Sequence, residues 1–351
     1  WEFCVKTVGP RSSELASRFS GATQTVNDQS QDIYPTPVNQ GVRGTASQPN
    51  KIGPATPYDF DSKKLTAYGG LLPVGTLLEK LGFRQLVEET LKVKRQTRTM
   101  PAYQFILAMV LACYVGFSRL HHMRFLQREP MLTGILGVLR LPPQCTFWRF
   151  LASLHGSVAG QLLEVQRCMR QRVWEATNVR LSAVVLDTDT TVHTLFGDQM
   201  GARKGYNPKN KGKKSLQPIL TFLAETKEYV AGELRNGDSP TGKQIAAHLQ
   251  MVFASVPKMV KTLLARADSG FYCWDAVEAY ESVKCGFMIV ARKTARLVEQ
   301  VKAAEWQRSP RTDADGQCEF WYRPDGWGKA YRFLALRYEK KSKAGGVDPP
   351  D

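Results

Sequence analysis

Hydrophobic residues recur at helical spacing in the first half of the chain. Leu77, Leu78, Leu81 and Leu86 follow this spacing, and the stretch "MPAYQFILAMVLACYVGFSRL" predicts a more buried helix that a proline opens. The stretch "LPPQCTFWRFLASL" predicts another helix with Thr146 as its N-cap, and "LLEVQRCMRQRVWEA" predicts a cationic helix after it. We therefore expect an all-helical domain over residues 63–178. Short helices with tight breaks are compatible with a helix-turn-helix reader of DNA, and equally with plain helical packing.

After Val179 the hydrophobic pattern changes from helical to alternating. The segments "VRLSAVVLDTD", "TTVHTLFG", "SLQPILTFLAE" and "EYVAGELRNG" predict consecutive strands. A predicted helix follows, "DSPTGKQIAAHLQMVFASV", with Asp238 or Ser239 as its cap. Next come a strand in "MVKTLLARADSGFY", a helix in "WDAVEAYESVK" and strands in "CGFMIVARK" and "AYRFLALRYE". Strands first, then alternating helix and strand, indicate an α/β domain with a mixed sheet over residues 179–339.

The composition favours a nucleic-acid partner. The 351 residues carry a formal charge of +16, from 48 Lys and Arg against 32 Asp and Glu, and such an excess attracts polyanions. The most apolar stretch, Phe105 to Phe117, is well short of the ~20 residues that span a bilayer, so we expect no membrane segment. Residues 1–62 have too few clustered apolar groups to offset the entropy of ordering, and we expect a disordered tail there and over 340–351. The absence of a signal-peptide pattern and the scattered cysteines favour the cytoplasm.

Three aspartates end predicted strands. Asp187 and Asp189 are two residues apart, so in an extended strand they point the same way, and Asp268 ends the strand "LLARA". Charge at the end of a buried strand is costly unless cations or a metal pair with it. Carboxylate oxygens suit Mg²⁺ or Mn²⁺, so we interpret the three as metal ligands. The alternative is that these aspartates only cap the turns that follow the strands.

A cationic stretch, Gly201 to Pro218, lies between the aspartates. It has no acidic residue, and glycines and a proline separate its cations. An aromatic that stacks on bases and clustered cations suit a loop that binds phosphates, although a solvated basic loop is the alternative. The predicted DNA-contacting residues are Arg203, Lys204, Tyr206, Lys209, Lys211, Lys213 and Lys214, with Arg235 and Arg266 as further candidates.

Four segments together resemble a known family. "LDTDTT", "GARKGYNPKNKGKKSLQPIL", "RNGDSPTG" and "LLARADSGFY" are similar, in order and spacing, to the DDE transposases of bacterial insertion sequences, and the likeness covers most of Tyr68 to Glu339. The resemblance implies an RNase H-like core with a late β-rich insertion, which cuts and joins DNA with two divalent ions held by Asp, Asp and Glu. Asp189 matches the first catalytic aspartate and Asp268 the second. Asp187 belongs to the same matched segment, so the first ligand stays open between Asp187 and Asp189.

The third carboxylate of the family is not found in this sequence. In the family, that glutamate lies on a helix after the insertion, whereas Glu278, Glu281, Glu299 and Glu305 precede the expected place. We therefore expect a transposase shortened at its C-terminus. Two alternatives are a DNA-binding remnant that inhibits transposition without catalysis, and a remnant that does not fold. The partners that the resemblance implies are the terminal inverted repeats of the element, target DNA and a second copy in a synaptic complex, in the nucleoid of a bacterial cytoplasm.

Overall fold

The computed structural model describes residues 2–8, 51–57, 66–93, 100–310 and 314–338. These residues divide into two units. One unit is helical and falls within Thr25–Val179, and the other contains the sheet and falls within Trp1–Gln24 and Arg180–Asp351.

The helical unit consists of short helices with one longer helix at its end. They are α1 (Leu71–Lys80), α2 (Phe83–Thr90), α3 (Ala102–Tyr114), α4 (Met123–Leu126), α5 (Pro130–Leu136), α6 (Gln144–Ala152) and α7 (Ser157–Ala176), and a 3-10 turn (Leu120–His122) precedes α4. The most apolar helix, α3, lies in the core, where Phe105 stacks on Phe150 with ring centroids 4.5 Å apart. The helical pattern of the sequence therefore reflects one shared hydrophobic core.

Two details of the helical unit differ from the sequence prediction. Gly82 adopts a left-handed conformation with φ 67°, which divides the first predicted helix into α1 and α2. The prediction of Thr146 as an N-cap is wrong, because α6 begins at Gln144 directly after Pro143. Proline supplies a fixed φ at the start of a helix, and no capping side chain is used here.

Part of the predicted N-terminal tail has defined structure. Ile52 donates a backbone hydrogen bond to the carbonyl of Gly134 at 3.0 Å, and its side chain occupies the space that a Cβ on Gly134 would need. Residues 2–8 form a strand of the sheet unit. The prediction of disorder is therefore wrong for these segments, and the rest of the predicted tails lies outside the described residues.

The strands and helices of the sheet unit follow the order of an α/β domain. The strands are β1 (Glu2–Val8), β2 (Ala183–Thr190), β3 (His193–Thr194), β4 (Arg203–Lys204), β5 (Lys214–Leu216), β6 (Ile219–Leu223), β7 (Tyr229–Glu233), β8 (Thr262–Ala267), β9 (Gly286–Val290), β10 (Gly316–Tyr322) and β11 (Tyr331–Tyr338). The helices are α8 (Gly242–Ser255), α9 (Trp274–Ser282) and α10 (Ala295–Ala303). Thr241 caps α8 through a capping box with Gln244, so the predicted caps Asp238 and Ser239 are wrong.

The main sheet has eight strands in the order β10-β11-β1-β9-β8-β2-β6-β7. Strands β2, β8 and β9 run parallel, β6 pairs antiparallel with β2, and β7 pairs antiparallel with β6. The order β7-β6-β2-β8-β9, with α8 before β8 and α9 before β9, is that of an RNase H-like core. The predicted RNase H-like mixed sheet is confirmed, and β10 and β11 form a late antiparallel pair beside it.

Strand β1 joins the core strands to this late pair. It pairs antiparallel with β9 through Lys6 and Val290, and with β11 through Cys4 and Leu336. These contacts bring together residues at opposite ends of the sequence, so the short alternation in "EFCVKTV" did not predict them.

Within the described residues, every helix is too short or too polar to span a membrane.

Candidate active site

The two aspartates assigned through the resemblance lie side by side at one edge of the sheet. Asp187 pairs in register with Arg266, and Thr188 with Ala267, along the parallel strands β2 and β8. Asp268 follows β8 with extended backbone, φ −78° and ψ −177°, so Asp189 and Asp268 each lie one residue beyond the last registered pair, and the charge of Asp189 raises the pKa of Asp268. Residues in register on parallel strands share a face. The two carboxylates therefore lie on the same face of the sheet.

Each carboxylate uses one oxygen to fix its own loop. The Oδ1 of Asp189 accepts a hydrogen bond from the Thr190 N–H at 2.7 Å, and the Oδ1 of Asp268 accepts one from the Gly270 N–H at 2.9 Å. Burial raises the pKa of Asp268, the Gly270 hydrogen bond lowers it, and the nearby Asp189 carboxylate raises it again. Two like charges this close together favour a cation between them.

Asp187 has a different environment from its neighbour. Both of its oxygens accept hydrogen bonds from the guanidinium of Arg266, each at 2.6 Å. This bidentate pair occupies the carboxylate of Asp187 and the cation of Arg266 together. Asp187 was expected to bind metal and Arg266 to contact DNA. The ion pair offers an alternative role for both residues, which is to join β2 to β8 one residue pair before the end of the ladder.

A buried polar chain supports β2 from the opposite face. Thr188 lies between Asp187 and Asp189 in the sequence. It shares a hydrogen bond with Thr221 at 2.9 Å, and Thr221 shares one with His248 Nε2 at 2.8 Å. Burial lowers the pKa of His248 to about 4, so its ring is neutral at pH 7. The chain connects β2, β6 and α8, and it fixes the strand on which Asp189 lies.

The predicted cationic stretch forms a hairpin directly after β2. Strands β3, β5 and β4 make a three-stranded sheet, in which Lys204 pairs with Lys214. Its base is attached to the end of β2, because the Thr191 N–H donates to the Pro218 carbonyl at 3.2 Å and Gln217 donates to the Thr190 hydroxyl at 3.2 Å. We call residues 193–216 the basic hairpin. It begins at His193, four residues after Asp189 in the sequence.

The cations of the basic hairpin fall into two groups. Arg203 pairs with Asp238 at 2.9 Å, and Lys214 pairs with Asp198 at 2.6 Å. The remaining predicted contacts are all exposed on the hairpin: Lys204, Tyr206, Lys209, Lys211 and Lys213. Within the part of the chain that the structure describes, the four lysines of the second group form no ion pair, whereas Arg203 and Lys214 also hold the hairpin together.

Arg235 differs from its predicted role. Only 7% of its surface is exposed, and its guanidinium donates to Gln244 Oε1 at 2.6 Å and to the Asp238 carbonyl at 3.5 Å. A side chain so buried and so occupied does not present its charge to a phosphate. Within "RNGDSPTG", Arg235 connects the turn before α8 to Gln244 of the capping box.

Two glycines let the basic hairpin contact this turn. A Cβ on Gly205 would overlap the Gly237 carbonyl, and a Cβ on Gly237 would overlap the carbonyls of Arg203 and Ser215. The contacts are backbone to backbone, so flexible side chains cannot absorb the added atom. The sequences "RKGY" and "RNGD" therefore belong to one packing contact, although more than 30 residues separate them.

We expect Gly237→Ala to detach the basic hairpin from the turn. The forced displacement should lower the free energy of unfolding by about 1–3 kcal/mol, as overpacking does in well-packed proteins. Thermal unfolding measures this change. The control is Gly160→Ala in α7, where open space surrounds the added methyl group and stability should rise by about 0.5–1 kcal/mol. Equal effects of the two substitutions would contradict the packing argument.

Sequence reasoning missed Arg292, which follows β9 at the same edge of the sheet. Its guanidinium donates to the Ser269 carbonyl at 3.1 Å and to the Gly270 carbonyl at 3.5 Å, and its charge lowers the pKa of Asp268. Arg292 thus positions the loop that carries Asp268. The signal was present in the sequence, because "IVARK" ends a strand parallel and adjacent to β8.

The oxygen chemistry of the two carboxylates suits a hard divalent ion. In the described part of the chain, Oδ1 is the oxygen of Asp189 and of Asp268 that accepts a hydrogen bond, which leaves Oδ2 of each for a ligand. Mg²⁺ is commonly held by one or two carboxylates together with water and substrate phosphates. Among the same residues, His, Cys, Asp and Glu side chains form no group of three or more that could hold a metal. The described site thus provides two of the three expected carboxylates.

Carboxylates at the ends of two parallel strands of an RNase H-like sheet suit metal-dependent chemistry on phosphate groups. Residues 50–347 match the family described as transposase DDE domain group 1. The chain belongs to this family, and the predicted resemblance is confirmed at that level. No curated protein matches the chain.

Solved structures with similar segments are also transposases. A piggyBac transposase synaptic complex with hairpin DNA is 11% identical, with 74% of this chain and 51% of that chain covered and a TM-score of 0.32. The Drosophila P element transposase strand transfer complex is 11% identical, with coverages of 64% and 48% and a TM-score of 0.31. The Mos1 paired-end complex is 9% identical, with coverages of 65% and 68% and a TM-score of 0.22. This chain spans about half the length of the first two.

Proposed function

We propose that the chain is a transposase that binds the ends of its element and cleaves DNA strands at the edge of the sheet where Asp189 and Asp268 adjoin. The observation that carries this proposal is the parallel register of β2 and β8, whose last pair, Thr188 and Ala267, directly precedes Asp189 on one strand and Asp268 on the other. The two residues would hold a divalent ion, Mg²⁺ or Mn²⁺. When bound, such an ion stabilises charge on a reacting phosphate and activates the attacking hydroxyl.

The protein groups around this site bind and orient the DNA. Lys204, Lys209, Lys211 and Lys213 contact phosphates, and Tyr206, with 66% of its surface exposed, stacks on a base. Arg292 and the Gly270 N–H fix the loop of Asp268. Asp187 and Arg266 hold the two strands in register and touch neither ion nor DNA.

The helical unit offers a second surface for DNA. Between residues 101 and 155 the sequence has five arginines, no lysine and one acidic residue, Glu129, whose carboxylate caps α5. All five arginines are exposed: Arg119, Arg124, Arg128, Arg140 and Arg149. Burial, His122, Arg124 and Arg119 together lower the pKa of His121, so Arg119 and Arg124 lie near the 3-10 turn.

The 3-10 turn packs against α6, which exposes an aromatic residue among these cations. Trp148 on α6 has 62% of its surface exposed beside Arg149. Arginine and tryptophan together suit contacts with phosphates and bases, so we assign DNA-end recognition to this surface.

We expect Arg149→Ala to weaken binding to the element's end about tenfold or more, as the loss of a specific contact worth about 1–3 kcal/mol does. The control is Arg84→Ala on α2, because Arg84 is paired with Glu88 in the same unit. Fluorescence anisotropy with end DNA and with unrelated DNA measures both. If the two variants bind alike, α6 does not recognise the element's end.

The proposed function is tested by incubating the purified chain with labelled duplex DNA from both flanks of its reading frame, where the ends of an element lie. Cleavage at a fixed position that needs Mg²⁺ or Mn²⁺, and that EDTA stops, supports the proposal. DNA that is bound in a salt-sensitive manner but never cut would contradict catalysis by this chain.

A second candidate function is end binding without catalysis. The observation that favours it is the number of carboxylates at the site. The described residues supply two, whereas the resemblance implies three metal-binding carboxylates. A chain of this kind would occupy the ends and compete with an active transposase. Adding it in excess to an active transposase of the same element would then reduce cleavage in proportion to the ends that it occupies.

A further inference from the structure

The turn between β3 and β4 presents two large apolar side chains to solvent. Phe196 has 75% of its surface exposed and Met200 has 99%. Residues between them are small or polar, Gly197 and Gln199 among them. Side chains left in water forgo the stabilisation of burial, so the fold itself gains nothing from these residue types here.

Hydrogen bonds hold this turn in one shape. The Leu195 N–H donates to the Lys214 carbonyl at 2.9 Å, the Gln199 side chain donates to the Phe196 carbonyl at 3.0 Å, and the Ala202 N–H donates to the Gln199 carbonyl at 3.2 Å. Gly197 and Gly201 have φ of 107° and 82°, which glycine accepts readily. Phe196 and Met200 are therefore presented by a structured turn, with little ordering left to be done on binding.

The charges near the turn indicate which kind of molecule Phe196 and Met200 contact. Asp198, the carboxylate of the turn, pairs with Lys214, and this pair lowers the pKa of Asp198. The exposed lysines of the basic hairpin, Lys204, Lys209, Lys211 and Lys213, follow the turn in the sequence, and Lys204 lies on β4, the strand that leaves the turn. Apolar side chains on a hairpin that also carries these cations complement a polymer that has a charged backbone and an apolar stack of bases inside it.

We propose that Phe196 and Met200 form a wedge that enters the base stack of the DNA and unstacks a step near the phosphate at Asp189 and Asp268. This inference rests on the proposed function and adds a specificity element to it. Apolar side chains inserted between base steps unstack and kink a duplex, and wider contact with the bent DNA offsets the cost of unstacking. A duplex that is already distorted avoids this cost and should bind more tightly.

The test compares two duplexes of identical sequence, taken from the flank of the reading frame, one fully paired and one with a single abasic site. Wild-type chain should prefer the abasic duplex by about tenfold, which corresponds to about 1.4 kcal/mol of avoided unstacking. Phe196→Ala with Met200→Ala should abolish the preference by weakening binding to the abasic duplex. A 2-aminopurine next to the abasic site should brighten with wild type and remain quenched with the variant.

Two controls separate the wedge from general effects. Trp321→Ala removes an equally exposed aromatic, 72% exposed on β10, and should leave the preference unchanged. Lys209→Ala with Lys211→Ala should weaken binding to both duplexes by the same factor. Circular dichroism checks that the wedge variant is folded, and the polar replacements Phe196→Gln and Met200→Gln provide a second variant with the same expected loss of preference.

The outcomes distinguish the wedge from the function on which it rests. If wild type binds and cuts DNA without preferring the abasic duplex, or if the preference survives in both wedge variants, the wedge is refuted and the proposed function stands. If wild type binds neither duplex, both proposals fail. A wedge variant that loses the same factor in affinity for both duplexes also refutes the wedge, because Phe196 and Met200 would then make an ordinary contact.

Discussion

Asp189→Asn and Asp268→Asn should each reduce divalent-ion-dependent DNA cleavage by about three orders of magnitude or more, because loss of a ligand removes several kcal/mol of charge stabilisation from the reacting phosphate. DNA binding should change little, since the basic hairpin and the helical unit keep their cations. Cleavage rates with saturating enzyme, and anisotropy for binding, measure the two effects separately.

The matched control is Asp187→Asn on the same strand. Its pair with Arg266 is partly exposed, with 40% and 54% of the two side chains accessible, so its loss should cost at most about 1 kcal/mol of stability. Cleavage should fall by less than tenfold. If Asp187→Asn is the inactive variant and Asp189→Asn is active, the first ligand has been assigned to the wrong aspartate.

The thermal stability of an Asp268 variant provides an independent test of the same site. Burial and the Asp189 carboxylate both raise the pKa of Asp268, so its ionised form is unfavourable in the folded chain when no cation is bound. In EDTA, Asp268→Asn should therefore unfold at the same temperature as wild type or a higher one. A lower unfolding temperature would indicate a structural role for Asp268 and would weaken the interpretation of its inactivity.

Replacing Lys204, Lys209, Lys211 and Lys213 with Ala should lower affinity for duplex DNA by about three orders of magnitude near 0.1 M salt, if each lysine neutralises one phosphate. The dependence of log K on log salt should become shallower by about 3.6, at 0.9 per lost contact. Titrations at several salt concentrations measure both values.

A second set of four lysines provides the control. Lys227, Lys258, Lys261 and Lys302 are exposed in the same unit but outside the basic hairpin, and their replacement changes the net charge equally. That variant should retain most of the affinity and the salt dependence. If the two sets behave alike, DNA binds through net charge and the hairpin has no particular role.

The sequence predicted most of the sheet unit because its signals are local. The apolar runs that precede Asp187 and Asp268 are long enough to predict buried strands, and the helix between them carries a regular pattern. The ends of these two strands align because neighbouring parallel strands end at the same edge of a sheet. The resemblance then supplied the roles, which no local pattern contains.

The parts that the sequence did not predict depend on contacts between distant residues. Strand β1 pairs with strands near the other end of the chain, and nothing in seven residues indicates those partners. The pairing of Asp187 with Arg266 was missed because two neighbouring aspartates look alike until the register of β8 is known. Arg235 was taken for an exposed cation, whereas the capping box of α8 occupies it.

The central claim, that Asp189 and Asp268 together hold a divalent ion, is tested most directly by anomalous diffraction from crystals grown with Mn²⁺. We predict an anomalous peak at coordination distance, about 2.1 Å, from a carboxylate oxygen of each residue. A peak at Asp187, or Mn²⁺ bound elsewhere with no peak between Asp189 and Asp268, would contradict the account.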